Sequence, residues 1–480
     1  MVFNSIKFAI FLLIIFILYW KVFEKTKKSQ NLFLLISSYV FYCFWDYRFL
    51  FLLILSTIVA WCVGKGISKN QNDDKKCFWL SATNIIYSAG ILFVFKYYNF
   101  FVQSFLSHFG LASDNLLIDV ILPVGVSFYL FKSMSYTIDV YQRRITAATD
   151  IGDFALYLSF FPHLLAGPID RASNMLPQLY SKRVFSYELS SEACKQLLWG
   201  AFKKVVIADN CAKYVDYAFT YYPSQSASTL LLAVILYAVQ IYADFSGYSD
   251  MAIGIGKLFG ISAKKNFDMP YFSRNMPEFW RKWHISLTSW FTDYIYFPLG
   301  GNRCSTQRVV LNTLIVFFVS GLWHGARWTF ALWGIYQAVL FIPGILLHKK
   351  RKYDTRIAEG RQLPSIKELF QMAGVFCLTL PGWLLFRSTG LKTAFGYLSS
   401  MLDKSLFSIP DMMTRSYYAP LFLSIAFMVI MEWKHRDSDI VYTANKKVVR
   451  YVLYLLSIAA VLYYYLLSIE TKGNFIYMSF

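Results

Sequence analysis

Apolar segments close to twenty residues long recur along the whole chain and limit its fold more than any other feature. The segments 328–347 and 451–469 contain no charged residue. A helix of about 20 apolar residues crosses the roughly 30 Å hydrocarbon layer of a bilayer. Because 57% of the 480 residues are hydrophobic, the chain is too apolar for a soluble protein of this size. We predict an all-α, polytopic integral membrane protein with about eleven to twelve transmembrane helices plus re-entrant or interfacial helices.

The apolar segments fill the chain from end to end, which favours one domain over several. We therefore predict a single domain over residues 1–480. Within it, 1–145 form N-terminal helices, 150–350 a catalytic core and 365–480 C-terminal helices.

The formal net charge of +19 is concentrated in the short segments between apolar runs. In a soluble protein such a charge would suggest nucleic-acid binding, but this distribution is typical of cytoplasmic loops of membrane proteins. Lys21, Lys25, Lys27 and Lys28 follow the first apolar run, 8–19, which lacks a cleavage site. We predict an uncleaved first span, an extracytoplasmic N-terminus and no nucleic-acid partner.

Two segments carry helix-breaking residues. Residues 152–168 include Pro162, Gly167 and Pro168, which favours a re-entrant or interfacial segment over a full span. Further along, Trp280, His284, Leu287 and Phe291 recur at three- or four-residue spacing. This spacing predicts one helix face, beginning near Asn275 and Pro277 and ending at Pro298.

Two of the six histidines stand next to tryptophans in apolar surroundings. His324 lies in the sequence Gly321-Leu322-Trp323-His324-Gly325, and His284 follows Trp283. A buried imidazole can act as a general base, because its pKa lies near neutrality. Each could instead be a structural histidine, hydrogen-bonded in the core or placed at the membrane interface. Ionisable groups within spans favour a functional role.

Other polar residues have two interpretations each. Arg281 and Lys282 could bind a phosphate-bearing donor or could be ordinary cytoplasmic flanking charge. Asp244 and Ser246 lie within the span predicted at 228–258, where they could position substrate or connect helices by hydrogen bonds. The seven cysteines are scattered without metal-ligand spacing, so we expect neither a metal site nor a disulfide framework.

Several longer motifs resemble the membrane-bound O-acyltransferase family, in its bacterial branch that O-acetylates polysaccharide such as alginate, or peptidoglycan. They are LPVGVSFYLFKSMSYTIDVY (122–141), FALYLSFFPHLLAGPI (154–169), QIYADFSGYSDMAIGIGKLFG (240–260), FWRKWHISLTSWFTDYIYFPLGGNR (279–303) and GLWHGARWTFALWG (321–334). The last two are the most specific. His163 departs from the glutamine expected in the second.

The resemblance implies a ring of tilted helices around a central tunnel in the bacterial inner membrane. It also implies an acetyl group taken from a cytoplasmic thioester, acetyl-CoA, with no bound cofactor. The acetyl group would cross the membrane to a periplasmic SGNH-type partner, which would transfer it to an exopolysaccharide or to peptidoglycan. Alternatives are a D-alanyl transferase acting on teichoic acid from a carrier protein and a lipid or polysaccharide transporter.

By the same resemblance, His324 is the essential histidine and His284 is the second polar position. We expect His324 to be the general base and His284 to orient the donor or polarise its carbonyl. The charge pattern predicts that His284 lies near the cytoplasmic side and His324 deeper, as two stations along one path. Candidates for the donor and substrate path are Trp280, Arg281, Lys282, Trp283, Asp244, Ser246, Trp323, Asn302 and Arg303.

Overall fold

The computed structural model describes residues 2–104, 106–109, 116–119, 121–165, 167–347, 356–411, 415–438, 441–442 and 446–467. Helices dominate these ranges, and no β-strand occurs within them. The prediction of an all-α membrane protein is confirmed. Two compact units are present: the first contains residues 1–194 and 251–264, and the second contains 195–250 and 265–480.

The first unit is built from the N-terminal helices. They are α1 (Ile6–Lys21), α2 (Lys27–Asp46), α3 (Arg48–Lys69), α4 (Asp74–Leu92), α5 (Tyr98–Ser104), α6 (Val126–Tyr141), α7 (Ile151–Ser159), α8 (Phe161–Leu164), α9 (Ala172–Tyr180) and the first half of α10 (Tyr187–Ala201). A π-helical turn, Phe93–Tyr97, joins α4 to α5, and a 3₁₀ turn covers Leu106–Phe109.

The second unit holds α11 (Asp209–Thr220), most of α12 (Ala227–Leu258), α13 (Met276–Lys282), α14 (Ile285–Phe291), α15 (Thr306–His324), α16 (Trp328–Leu346), α17 (Ile366–Arg387), α18 (Leu391–Ser400), α19 (Arg415–Lys434) and α20 (Lys447–Leu467). π-Helical turns cover Phe202–Ala208, between α10 and α11, and Thr292–Tyr296 after α14. Short 3₁₀ turns cover Tyr222–Ser224, Pro270–Phe272 and Lys404–Phe407.

Seven helical segments of the described residues are long and apolar enough to cross a membrane. They are Arg48–Lys69, Asp74–Ser104, Ala227–Leu258, Thr306–His324, Trp328–Leu346, Ile366–Arg387 and Lys447–Leu467. Three of the segments expected from the sequence, 228–258, 328–347 and 451–469, correspond to Ala227–Leu258, Trp328–Leu346 and Lys447–Leu467. They agree because burial in lipid selects for the same composition that hydropathy detects. The protein is therefore an integral membrane protein.

The interrupted segment 152–168 forms two short helices instead of one span. α7 ends at Ser159 and α8 starts at Phe161, with Pro162 in its first turn. At the break, the backbone N–H of Phe161 donates to Ser38 Oγ on α2 at 3.1 Å. The backbone N–H released by the interruption thus has a partner inside the protein. The position of this segment relative to the membrane stays a prediction.

Two consecutive buried lysines in the π-helical turn 202–208 bind acidic residues of other segments. Lys204 Nζ lies 2.6 Å from Asp244 Oδ1 of α12 and 2.8 Å from Asp209 Oδ1. Lys203 Nζ lies 2.6 Å from Asp250 Oδ2, also on α12. These pairs attach α12 to the turn, so the Asp244 carboxylate takes part in helix-to-helix contact.

Glycines allow α15 and α16 to pack as a close hairpin. A Cβ added at Gly321 would overlap the backbone carbonyl of Phe330, and one added at Gly334 would overlap the carbonyl of Phe317. Two such reciprocal contacts bring the helix backbones together, as small residues do in membrane helix pairs. The hairpin fixes the end of α15, where His324 lies.

Candidate functional site

His324 is the last residue of α15 and is followed by the extended Gly325. Its ring is buried, and its centroid lies 4.9 Å from Trp323, 5.1 Å from Trp333 and 5.0 Å from Phe386. These rings meet the imidazole edge-on, from α15, α16 and α17. Water-excluding walls of this kind strengthen any hydrogen bond or charge interaction that the imidazole makes.

His284 lies between α13 and α14, in a left-handed conformation with φ 44° and ψ 55°. The prediction of a single helix from the spacing of Trp280, His284, Leu287 and Phe291 is therefore wrong. The helix is interrupted at the histidine, between α13 and α14. A left-handed residue with a side chain costs roughly 1–2 kcal/mol. The neighbouring loop offsets this cost, since the Ile285 N–H donates to the carbonyl of Asn266 at 2.8 Å.

The side chain of Asn266 also holds the break. Its Oδ1 lies 3.1 Å from His284 Nδ1, 3.2 Å from the Ser286 backbone nitrogen and 2.9 Å from Ser286 Oγ. Sequence reasoning did not single out Asn266. Nothing in the local pattern around Lys265 and Phe267 identifies an asparagine that acts 18 positions further on, so only tertiary structure reveals it.

Aromatic rings cover His284 on several sides. Its centroid lies 4.6 Å from Phe245 of α12, 6.3 Å from Phe267 and 6.0 Å from Trp323. The residue is 1% exposed. Burial away from water lowers the pKa of His284 well below its ordinary value, so the ring is neutral at physiological pH.

Trp323 connects the two histidines. Its ring lies 6.0 Å from the ring of His284 and 4.9 Å from that of His324. The structure thus brings both predicted histidines and Trp323 into one aromatic cluster. Their depths relative to the membrane faces, and with them the two-station path, stay a prediction.

Trp280 and Trp283 extend this cluster from α13. Trp280 lies 5.8 Å from Trp333, which contacts His324. Trp283 lies 4.8 Å from Trp383, which is 6.4 Å from Trp333. The two predicted tryptophans therefore belong to the wall of the site.

The basic residues on α13 differ in their surroundings. Lys282 Nζ lies 3.0 Å from Glu278 Oε1, and the Arg274 guanidinium binds the same carboxylate at 3.1 Å. The Arg281 side chain is exposed. Of the two predicted phosphate-binding cations, Lys282 is thus already paired, and Arg281 faces outward.

The remaining four candidates differ in their surroundings. Asp244 is bound to Lys204, as described above. Ser246 is buried, and its Oγ has no hydrogen-bond partner among the described residues. Asn302 and Arg303 are exposed in the turn that precedes α15. None of these four contributes a ring or polar contact to either histidine in the contacts described above.

The arrangement suits proton transfer in a dry environment. One imidazole stands at a helix end, and a second is held neutral at a strained break, with a shared indole between them. A neutral imidazole can accept a proton from a hydroxyl, and exclusion of water protects a reactive ester or thioester from hydrolysis.

Comparison with known proteins identifies the family of the chain. The model of the membrane-bound O-acyltransferase family matches residues 26–352. The "Probable alginate O-acetylase AlgI" of Azotobacter vinelandii is 34% identical over 420 residues, covering 86% of this chain and 80% of that protein. Its Pseudomonas putida counterpart of the same name is 32% identical over the full length of both chains.

A second kind of relative modifies another polymer. The "Peptidoglycan O-acetyltransferase" of Helicobacter pylori is 31% identical over 472 residues, covering 88% of this chain and 86% of that protein. The chain therefore belongs to the membrane-bound O-acyltransferase family and is an O-acyltransferase.

Proposed function

We propose that this protein passes an acetyl group from a cytoplasmic thioester donor, acetyl-CoA, across the bacterial inner membrane for O-acetylation of an extracytoplasmic glycan. The observation that carries the proposal is the pair of buried histidines in contact with one indole, Trp323. The names of the relatives supply the acetyl group and the two acceptor classes, alginate and peptidoglycan.

His324 acts as the general base in this proposal. It removes the proton from an acceptor hydroxyl while the oxygen attacks the thioester carbonyl carbon. As the tetrahedral intermediate collapses, the C–S bond breaks and the thiolate leaves, taking the proton from the imidazolium. The products are an acetyl ester and free coenzyme A, and the enzyme returns to its starting protonation state.

The aromatic cluster contributes exclusion of water. Trp323, Trp333 and Phe386 surround His324, and hydrolysis of the thioester would compete if water reached it. The immediate acceptor is a hydroxyl of the glycan or of a periplasmic SGNH-type partner that completes the transfer. The N-terminus lies on the extracytoplasmic side in this arrangement.

The test uses purified full-length protein in liposomes with acetyl-labelled acetyl-CoA and either a mannuronate oligosaccharide or a muropeptide as acceptor. Both acceptors are supplied with and without an SGNH partner. We expect labelled ester from the wild type. His324→Ala should lower the rate by roughly 10²–10⁴-fold, the usual contribution of a general base.

The matched control is His435→Ala. This histidine lies just beyond α19, and its Nδ1 lies 2.8 Å from the carbonyl oxygen of Met431, four residues earlier, so its removal should leave the rate within about threefold of the wild type. Full activity of folded His324→Ala would refute the assignment. Transfer from a D-alanyl carrier protein, but not from acetyl-CoA, would identify a D-alanyl transferase. A transporter would show neither thioester cleavage nor transfer.

A further inference from the structure

We infer that Asn266 is a positioning residue that fixes the tautomer of His284, so that His284 meets the substrate as a hydrogen-bond acceptor through Nε2. The inference rests on the proposed function, because it assigns a role in the acetyl-transfer site. Asn266 lies between the motifs 240–260 and 279–303 and outside both. The inference changes the role expected for His284.

The orientation of the Asn266 amide follows from Ser286. The Ser286 backbone N–H can only donate, and it points at the Asn266 side-chain atom 3.2 Å away. That atom must therefore be the oxygen, since the amide NH₂ would face another donor. The Ser286 hydroxyl, 2.9 Å from the same atom, donates to it as well.

The proton on His284 follows in turn. Its Nδ1 lies 3.1 Å from the Asn266 oxygen, and an amide oxygen only accepts. Nδ1 must therefore carry a proton. The buried ring is neutral and has a single N–H, so Nε2 carries the lone pair.

The backbone around the break is built to keep this geometry. The left-handed φ of 44° at His284 is unusual for a residue with a side chain. Two backbone bonds hold it against the loop, from Ile285 to Asn266 at 2.8 Å and from Asp268 to Lys282 at 3.0 Å. Strained residues that are held this firmly cluster at functional sites.

This tautomer limits which substrate groups His284 can bind. A neutral His284 with its proton on Nδ1 cannot donate from Nε2 to the thioester carbonyl. It can accept a hydrogen bond at Nε2 from an O–H or N–H of the substrate, such as the acceptor hydroxyl or an amide of the coenzyme A arm. In this inference His284 does not polarise the thioester carbonyl. It instead orients a substrate O–H or N–H group that donates a hydrogen bond to Nε2.

The direct test is nitrogen-15 NMR of histidine-labelled protein in bilayers, with His284→Gln to assign the signal. We expect a protonated Nδ1 and an unprotonated Nε2 for His284 in the wild type and in Ser286→Ala. Asn266→Leu should lose this preference. A protonated Nε2 in the wild type would overturn the inference, whatever the enzyme transfers.

Kinetics give the second test. Asn266→Leu should lower kcat by roughly 10²-fold, while Asn266→Asp, which keeps the acceptor, should restore most of it. Ser286→Ala removes only one donor to the same oxygen and should cost less than about tenfold. A shift in KM for acetyl-CoA, or for the glycan, identifies which substrate donates to Nε2.

These results separate the two proposals. If Asn266→Leu keeps wild-type kcat and both KM values, the positioning role is wrong even though acetyl transfer stands. If the wild type transfers no acetyl group at all, the proposed function fails, while the NMR signal still decides the tautomer. Should Asn266→Leu not fold, the wild-type spectrum with the Ser286→Ala spectrum is sufficient.

Discussion

Replacing Gly321 with alanine should separate α15 from α16 and move His324 away from its aromatic contacts. The added methyl group would overlap the carbonyl oxygen of Phe330 and lie 3.3 Å from the Cα of Gly334. Both neighbours are helix backbone, so neither can turn aside as a side chain would. The helices themselves must move apart.

Two opposing effects set the magnitude. Alanine is favoured over glycine inside a helix by roughly 1 kcal/mol. Overpacking of a close contact costs about 1–3 kcal/mol. We expect the steric cost to exceed the propensity gain and to leave a net destabilisation of up to about 2 kcal/mol. A shift near 1 Å between His324 and its neighbours can lower kcat by roughly 10²-fold.

Gly374→Ala is the matched control. This glycine also lies inside a candidate membrane span, but a Cβ added there meets no described atom within 4 Å. It should keep full activity and gain up to about 1 kcal/mol of helix stability. The assay is heat inactivation of both variants in bilayers, together with the initial rate of acetyl transfer. If Gly321→Ala matches Gly374→Ala in both measurements, close backbone packing does not position His324.

Three further experiments test other contacts. Asp244→Asn should destabilise the protein by roughly 3 kcal/mol, because it weakens a buried ion pair with Lys204; unchanged heat inactivation would contradict this. Burial alone would raise the pKa of Glu278, but hydrogen bonds from Arg274 together with the charge of Lys282 outweigh burial, so the pKa lies below its usual value. The ionised Glu278 carboxylate therefore stabilises the folded state fully at neutral pH, and this stabilisation is lost as the pH falls below about 4. Unfolding curves of Glu278→Gln measured against pH should lack that acid-dependent loss. His284→Asn should be more heat-stable than His284→Gln, since asparagine tolerates the left-handed conformation better; equal stability would show that the strain is small.

Composition predicts the helices of this protein well wherever the relevant interaction is with lipid. The run expected over 328–347 corresponds to Trp328–Leu346, and the one expected over 228–258 to Ala227–Leu258. A twenty-residue apolar segment in lipid must form its backbone hydrogen bonds within itself, so it folds as a helix. Such a signal is local and therefore readable from the sequence.

The break at His284 was not predictable in the same way. Periodicity counted Trp280 and Leu287 on one helix face, and both are indeed buried. The conformation at His284 is instead decided by Asn266, eighteen positions earlier, through contacts that only the folded chain brings together. Likewise, no sequence pattern near Asp244 predicts its ion pair with Lys204, forty positions earlier.

The ion pairs between the π-helical turn and α12 lead to an expectation about how the chain enters the membrane. A single carboxylate near the middle of a span costs roughly 2.5–3.5 kcal/mol on insertion, and α12 carries both Asp244 and Asp250. Their partners, Lys204 and Lys203, leave the ribosome first. We expect the preceding segment to wait beside the insertion machinery, so that acid and base enter lipid together as neutralised pairs. In this protein each of the two carboxylates is synthesised after the lysine that neutralises it.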